Sequence, residues 1–337
     1  MSEIERMKTQ NGDVLGTHIM VSVCCLVYNH EPYLRECFEG FVMQKTTFPI
    51  EILVHDDAST DYSADIIREY TAKYPDIFKP IYQTENQYSK GKGFVGILLN
   101  FERAKGKYIA MCEGDDYWTD PLKLQKQVDF LEAHDEYALS FHDATIIDIR
   151  GNIITESKIS KFMTAERLRD WTDEELMEGS TPPTPTVMYR KQFVDKTSIV
   201  RRKCNKLVNG DTINASLIGK YGKGKYHSDI ENSVCNVQEG GVWQMKPILY
   251  KYTNVDKTYA FLSKYHKKIK AVRIYLLKYR YNNMINILKY CINKRQKKIF
   301  IKYYFKALRL LCVMFDLKTI YLFNKDISYW IKNRKNG

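Results

Sequence analysis

Acidic residues are almost missing from the last quarter of this sequence. Residues 263–337 contain 20 Lys and Arg residues but only two acids, Asp316 and Asp326, which gives a net charge of +18. The rest of the chain has 32 basic and 38 acidic residues, a net charge of −6. This change of sign predicts a body over residues 19–262 and a basic tail over residues 263–337. Residues 1–18 are predicted to be an N-terminal extension.

Long uncharged apolar runs are also missing. No such run reaches the roughly 18 residues that a membrane-spanning helix needs, and the N-terminus has no apolar core of a secretory signal. The eight cysteines form no CxxC pair, so we expect buried free thiols in a reducing compartment. These absences predict a cytoplasmic protein. Apolar residues still make up 44% of the chain, which excludes intrinsic disorder.

The motifs of several enzyme classes are absent as well. The sequence has no Walker A pattern, no HExxH and no GxSxG. A single GxGxxG pattern, from Gly91 to Gly96, follows the third predicted strand instead of the first, which argues against a dinucleotide-binding fold. We interpret this segment as a basic loop in which Lys90 or Lys92 could contact a diphosphate, and a simple solvated loop is the alternative.

The body alternates short apolar runs with helical patterns. Strands are predicted at the apolar runs over residues 21–28, 50–54, 80–83, 107–112 and 138–147. The segments between most of them repeat apolar residues at helical spacing. This alternation predicts an α/β fold, with a mostly parallel sheet and helices on both of its faces.

Polar side chains follow three of these predicted strands. In sheets of this kind, ligands bind beyond the carboxyl ends of the strands, so the three groups are expected to share one site. Adjacent carboxylates repel each other unless water or a hard cation such as Mg²⁺ or Mn²⁺ neutralises them. The alternative is a solvated turn with a helix cap. The three groups are Tyr28, Asn29, His30 and Glu31; His55, Asp56 and Asp57; and Glu113, Gly114, Asp115 and Asp116.

Three segments resemble the family 2 glycosyltransferases of the GT-A fold, which are bacterial enzymes that build cell-surface polysaccharides. The segments are VSVCCLVYNHEPYL (21–34), EILVHDDASTD (51–61) and AKGKYIAMCEGDDYWTDPLKLQKQVDFLE (104–132). The resemblance implies an inverting transfer from a nucleotide-diphosphate sugar to an acceptor hydroxyl, with Mn²⁺ or Mg²⁺ as cofactor. The QxxRW motif of processive members is absent, which favours the addition of one sugar by a hexosyltransferase-like enzyme.

The resemblance also implies roles on the nucleotide side of the site. Tyr28, Asn29 and Glu31 would lie near the nucleotide. Either Asp56 or Asp57 would bind the base or the ribose. An ordinary strand-ending turn is the alternative for the first of these groups.

The metal ligands follow from the same resemblance. Asp115 and Asp116 match a DxD-like motif, in which Asp116 would bind the metal and Asp115 would bind the metal, the ribose or the diphosphate. Gln238 stands where related sequences have a histidine that can ligate the metal. Glutamine is a weaker metal ligand than imidazole, so the metal site could be looser, the protein could prefer another acceptor arrangement, or its activity could be reduced.

The catalytic base is predicted later in the chain. Inverting transfer needs a carboxylate that faces the acceptor hydroxyl. Asp211 falls where related enzymes have an acid ahead of a helix, and it is the predicted base. Glu239 and Asp229 are its competitors. The alternative for Asp211 is an N-cap of a helix over 212–218.

The tail has the pattern of basic amphipathic helices. We therefore predict that it contacts an anionic membrane surface, at the inner face of the cell membrane, where a lipid-linked acceptor would lie. A helical appendage packed on the body or on a partner chain is the alternative. One predicted face contains Ile301, Tyr304, Leu308, Leu311 and Phe315, and another contains Lys302, Lys306 and Arg309.

Three other functions compete with sugar transfer. A nucleic-acid-binding protein would explain the basic tail but not the three polar groups, so no nucleic-acid partner is expected. A nucleotidyltransferase would use a similar sheet to make a sugar nucleotide, but its Gly-rich N-terminal loop is missing. An inactive binding protein remains open because of Gln238.

Overall fold

The structure is a computed structural model, and it describes residues 18–91, 95–204, 206–237, 245–314 and 317–333. These residues divide into two compact units. The first consists of the described residues of 1–176, 180–206 and 217–239, and the second of those of 177–179, 207–216 and 240–337. The predicted domain boundary after residue 262 falls inside a helix, Ile248–Tyr265, and the domain division remains a prediction.

Eleven strands form two sheets within the described residues. Most of them are short, and the two longest are apolar runs that are buried along almost their whole length, as expected for strands inside a parallel sheet. The strands are β1 (Val21–Val27), β2 (Ile50–Asp56), β3 (Phe78–Tyr82), β4 (Tyr108–Met111), β5 (Asp116–Tyr117), β6 (Tyr137–Phe141), β7 (Ala144–Ile147), β8 (Ile153–Thr155), β9 (Met188–Arg190), β10 (Lys223–Tyr226) and β11 (Ser233–Asn236).

The larger sheet confirms the predicted mostly parallel arrangement. Its strand order is β10-β6-β9-β4-β1-β2-β3. Neighbouring strands are parallel except at β9, which is antiparallel to both β4 and β6. The smaller sheet has the order β5-β11-β7-β8. Since β1, β2 and β4 are parallel neighbours, the polar groups that follow them lie at one edge of the sheet.

Helices surround the sheet and also make up most of the second unit. Their apolar faces are set by residues at helical spacing, as Leu34, Phe38 and Phe41 are in the first helix. The helices are α1 (Glu31–Val42), α2 (Ser63–Lys73), α3 (Val95–Arg103), α4 (Lys123–Ala133), α5 (Lys158–Phe162), α6 (Asp173–Met177), α7 (Lys191–Lys196), α8 (Ser198–Lys203), α9 (Gly210–Gly219), α10 (Ile248–Tyr265), α11 (Lys270–Asn293), α12 (Lys297–Met314) and α13 (Leu317–Asn333).

An aromatic cluster fixes the strand ends of the first unit. Phe38 of α1 packs edge-on against Tyr70 and Phe78, with ring centroids 5.1 Å apart in each pair. Phe41 packs on Trp118 at 4.7 Å. The buried Trp118 indole also donates a hydrogen bond of 2.6 Å to a backbone carbonyl. Because Trp118 directly follows β5, this packing holds the turn over residues 113–116, which leads into β5.

The prediction of one strand over residues 138–147 is wrong. The structure has two strands there, and they belong to different sheets, β6 to the larger and β7 to the smaller. His142 and Asp143 lie between them and are buried. The Asp143 carboxylate accepts hydrogen bonds from the backbone nitrogens of Ala144 (2.8 Å) and Ile159 (3.0 Å). These bonds turn the chain from one sheet into the other.

The second unit has its own buried core and a buried ion cluster. Asp256 of α10 is almost fully buried. It lies 2.6 Å from Nε of Arg280 in α11 and 3.0 Å from Nζ of Lys306 in α12. Removing one partner of such a cluster leaves an uncompensated charge, so the three helices depend on one another.

The predicted apolar face of α12 is wrong in part. Leu311 is buried as predicted, but Ile301 is exposed. The buried residues of α12 are Tyr303, Ala307, Leu310 and Leu311. Apolar residues surround most of this helix, so periodicity alone did not select the face that packs. Phe315, which was predicted on the same face, lies outside the described residues.

The cysteine prediction holds for seven of the eight thiols. All eight are free, and seven are buried, while Cys312 is exposed on α12. None of the helices in the described part of the chain combines the length and apolar composition of a bilayer-spanning helix.

Candidate functional site

An acidic turn follows β4 at the carboxyl edge of the sheet. Glu113, Asp115 and Asp116 each offer a carboxylate oxygen, and these oxygens lie within 4.8 Å of one another. Gly114 allows the turn to approach β1, because a Cβ at this position would lie 2.8 Å from Nδ1 of His30. The His30 Nε2 atom is 4.0 Å from Asp115 Oδ2. The three carboxylates are a donor set that suits a hard divalent cation.

Asp116 is the buried member of this acidic turn. Only 6% of its surface is exposed, since β5 pairs with β11 and sets Asp116 opposite Cys235. Its Oδ1 atom accepts a hydrogen bond of 3.2 Å from the Asn236 backbone nitrogen, and Cys235 Sγ lies 3.5 Å from its Oδ2 atom. Burial, and then the neighbouring Asp115 carboxylate, raise the pKa of Asp116 to about 7. A divalent cation would offset both effects, so these residues fit the predicted metal.

Lys158 is a residue near Asp116 that the sequence did not reveal. Its Nζ atom lies 3.2 Å from Cys235 Sγ. Burial raises the pKa of the Cys235 thiol. Burial lowers the pKa of Lys158, but Cys235, and then Asp116 and Glu113, outweigh burial and raise it above its ordinary value. The acidic turn thus has a cationic side chain, Lys158, close to its carboxylates.

Cys235 and Asn236 were also missed. Besides its bond to Asp116, Asn236 donates a hydrogen bond of 2.7 Å from Nδ2 to the Asp115 carbonyl. Asn236 is 120 residues from Asp116 along the chain. No local pattern marks either residue, because the pairing of β5 with β11 brings them to the acidic turn.

The residues predicted near the nucleotide lie in the loop that follows β1 and, for Glu31, at the first position of α1. Asn29 has a left-handed backbone (φ 55°), and its Oδ1 atom accepts a hydrogen bond of 2.8 Å from the Thr60 nitrogen. The Glu31 nitrogen donates to Asp61 Oδ2 at 3.0 Å. Tyr28 is half-buried in the same loop. These bonds join the loop after β1 to the loop after β2.

Both acids at the end of β2 take part in loop structure. Asp56 is buried, which raises its pKa, and its Oδ1 atom accepts a hydrogen bond of 3.2 Å from the Ser59 nitrogen. The Asp57 carboxylate accepts hydrogen bonds from the backbone nitrogens of Gln87 (2.8 Å) and Tyr88 (3.0 Å). Asp57 therefore orders the loop after β3. The contact of either Asp56 or Asp57 with the base or the ribose remains a prediction.

Three of the predicted site residues, Lys92, Gln238 and Glu239, lie outside the described residues. Their roles therefore remain predictions. Lys90, the alternative to Lys92, forms an ion pair with Glu85.

Two candidates for the catalytic base, Asp211 and Asp229, lie in the part of the chain that the structure describes. Asp211 belongs to the second unit and lies in the first turn of α9, which begins at Gly210, so it is inside the helix instead of at its N-cap. An acid in the first turn also stabilises a helix through its dipole. Asp229 belongs to the first unit, is exposed, and lies 3.2 Å from Nδ1 of His227. The assignment of the base to Asp211 remains a prediction.

Comparison with known proteins identifies the family. Residues 22–181 match the sequence model of the family described as Glycosyl transferase family 2. This match covers just under half of the chain and shows a glycosyl transferase family 2 segment. The matched segment contains β1 except its first residue, β2 to β8, and the whole acidic turn. Cys235 and Asn236, which contact that turn, come from outside the matched segment.

Curated relatives match part of this chain. An uncharacterized protein of Mycobacterium tuberculosis is 41% identical over 176 residues, which cover 51% of this chain and 47% of the relative. A Bacillus subtilis protein, whose name connects it with teichuronic acid biosynthesis, is 30% identical over 135 residues, 38% of this chain and 51% of the relative. The chain therefore spans about half the length of the curated relatives that it matches.

Two solved structures share the fold of this chain. Staphylococcus aureus TarS (residues 1–349), solved with UDP-GlcNAc, is 17% identical with a TM-score of 0.61 and covers 87% of this chain and 81% of its own. The mannosyltransferase PcManGT from Pyrobaculum calidifontis, solved with GDP-Man and Mn²⁺, is 15% identical with a TM-score of 0.54 and covers 99% and 89%. The predicted GT-A fold is confirmed.

Proposed function

We propose that this protein transfers one sugar from a nucleotide-diphosphate sugar to a glycan or a lipid-linked glycan, as a metal-dependent, inverting glycosyltransferase of surface polysaccharide biosynthesis. The observation that carries the proposal is the acidic turn at Glu113, Asp115 and Asp116, which lies at the carboxyl edge of the parallel sheet of a family 2 protein. The relative that is named for teichuronic acid biosynthesis supports the polysaccharide context.

Each part of the site has a proposed task. Asp116 and Asp115 would hold Mn²⁺ or Mg²⁺, with Gln238 as a further ligand. The metal, when bound, would stabilise the negative charge that develops on the leaving diphosphate. Mn²⁺ in the PcManGT structure supports this choice for a protein of the same fold. Lys92 would contact the diphosphate from the loop after β3.

The loops after β1 and β2 would bind the nucleoside. Tyr28, Asn29 and Glu31 would contact the nucleotide from the first loop, and Asp56 or Asp57 would do so from the second. The hydrogen bonds between these loops hold backbone and side chains in place before a ligand arrives, which lowers the entropic cost of binding.

A donor panel tests the function. We expect purified protein to release nucleoside diphosphate from at least one sugar nucleotide, and to do so only with Mn²⁺ or Mg²⁺. UDP-GlcNAc and GDP-mannose come first in the panel, because the two solved structures of this fold hold them. If nucleoside diphosphate is still released in excess chelator, the proposed metal dependence is rejected. The absence of both release and binding for every donor would reject the transferase, and pyrophosphate formation from NTP and sugar phosphate would indicate a nucleotidyltransferase.

The tail would bring the enzyme to its acceptor at an anionic membrane surface. The exposed face of α12 mixes apolar and basic residues, a composition typical of helices that lie in a membrane interface. Ile301, Phe305 and Val313 are 53%, 61% and 65% exposed, and they follow one another around the same face with the exposed Lys302 and Arg309. Residues 297–314 contain no acid.

Vesicle binding tests the proposed contact between the tail and an anionic membrane surface. We expect the protein to co-sediment with vesicles that contain phosphatidylserine, and a Phe305→Ser, Lys302→Glu variant to bind about tenfold more weakly, since each basic residue near such a surface contributes about 1 kcal/mol. The matched control is Ile199→Ser, Lys105→Glu. Ile199 is 69% exposed and Lys105 is exposed, and both lie in the first unit. If both double variants bind vesicles equally, the effect comes from net charge, and the proposed contact of α12 with the membrane is rejected.

A further inference from the structure

The acidic turn has a resident cation in Lys158. The ammonium lies 3.2 Å from Cys235 Sγ, and Cys235 Sγ lies 3.5 Å from Asp116 Oδ2. A single sulfur atom thus separates the ammonium from the buried carboxylate. Among the described residues, no other lysine or arginine contacts the side chain of Cys235 or Asp116.

The start of α5 holds Lys158 in this position. Ser157 caps the helix by accepting a hydrogen bond of 3.0 Å from the Ser160 nitrogen. The Ser157 hydroxyl in turn donates to the buried Asp143 carboxylate, which also accepts from the Ile159 nitrogen at 3.0 Å. The residues on both sides of Lys158 are therefore hydrogen-bonded to Asp143, which directly precedes β7, and these bonds hold the backbone that carries the ammonium.

A buried carboxylate beside two others needs a compensating charge. Asp116 is withdrawn from water, and its neighbours Asp115 and Glu113 have the same sign. Burying such a group without a partner is costly, and an ammonium close by reduces that cost. A divalent cation at the turn would need the same negative charge and would also be repelled by the ammonium.

We infer that Lys158 is the counter-ion of the acidic turn while no divalent cation is bound, and that it limits how tightly the turn binds that cation. This inference rests on the proposed function, since it concerns the same metal. Lys158 is a positioning residue here and contacts no reacting atom. Asp115 and Asp116 would hold the cation when it is bound, and the charge of the turn would then be compensated by that cation instead of by the Lys158 ammonium alone.

Titration of the full chain with MnCl₂ alone tests the inference. We expect Lys158→Met to bind Mn²⁺ about tenfold more tightly than wild type, because the side chain keeps its length but loses the repelling charge. Lys158→Arg keeps the charge and should bind as wild type does. The matched control is Lys161→Met, which removes an exposed charge three residues further along α5. Unchanged or weaker Mn²⁺ binding by Lys158→Met, or an equal gain in Lys161→Met, would overturn the inference.

Unfolding in metal-free buffer separates this inference from the proposed function. When it is introduced into the wild-type protein, Lys158→Met should lower the melting temperature. When it is introduced into Asp116→Asn it should not, because Asp116→Asn no longer has the charge that Lys158 compensates. Equal losses in both backgrounds would overturn the inference. The melting temperatures can show that the effects of Lys158 and Asp116 on stability are coupled while neither wild type nor Lys158→Met binds Mn²⁺. In that case the proposed metal-dependent function fails, and Lys158 is the partner of Asp116 without limiting a cation.

Discussion

Replacing Asp116 with asparagine is expected to abolish the metal-dependent part of donor binding. The amide keeps the oxygen that accepts from the Asn236 nitrogen, so the pairing of β5 with β11 should survive. The negative charge, which is the main attraction for a divalent cation, is lost. We expect the affinity for UDP or GDP in the presence of Mn²⁺ to fall about 100-fold, as measured by calorimetry. The affinity measured with chelator should stay the same.

Asp129→Asn is the matched control for this experiment. Asp129 is exposed on α4 in the same unit, and its loss changes the net charge by the same amount. The control should bind donor and metal as wild type does. If Asp116→Asn keeps full Mn²⁺-dependent binding while it remains folded, the metal site lies elsewhere.

Asp211→Asn should have the second large effect, on transfer and not on binding. General base catalysis contributes about 10²- to 10⁴-fold to a rate, so we expect the turnover to fall by about 10³-fold. Donor affinity and its dependence on metal should remain those of wild type, because the proposed base acts on the acceptor hydroxyl and has no proposed role in binding the nucleotide. Transfer to an acceptor, measured apart from donor hydrolysis, provides the readout.

The structural alternative for Asp211 needs its own control. Asp173 also lies in the first turn of a helix, α6, and it is exposed. If Asp211 only stabilises the start of α9, Asp211→Asn and Asp173→Asn should both lower stability by about 0.3–1 kcal/mol and leave transfer intact. Retained transfer in Asp211→Asn together with loss in Asp229→Asn or Glu239→Asn would move the base to one of these competitors.

The strands that position the site were predictable from the sequence. The apolar runs that became β1, β2 and β4 are buried in a parallel sheet, where strands need no alternation of polar and apolar residues. Their carboxyl ends follow directly from the runs, so the groups around Asn29, Asp57 and Asp115 were found. The family resemblance rests on the same three segments, and the match over residues 22–181 confirmed it.

Features that depend on contacts between distant segments were not predictable. The break between β6 and β7 depends on the bonds of buried Asp143 to Ile159. The packed face of α12 depends on its neighbours, since Ile301 and Leu311 are equally apolar, yet only Leu311 is buried. Lys158 lies at the acidic turn because of its position on α5. None of these contacts leaves a periodic signal in the chain.

The short pairing of β5 with β11 has a consequence for how the protein is made. Two residue pairs join these strands, and Asp116 and Cys235 are 119 residues apart along the chain. On the ribosome, Asp116 is synthesised well before its partners at 235 and 236. The buried environment of this carboxylate therefore cannot form in a nascent chain that ends with the family segment at residue 181. A nascent chain becomes able to complete the site only after β11 has left the exit tunnel.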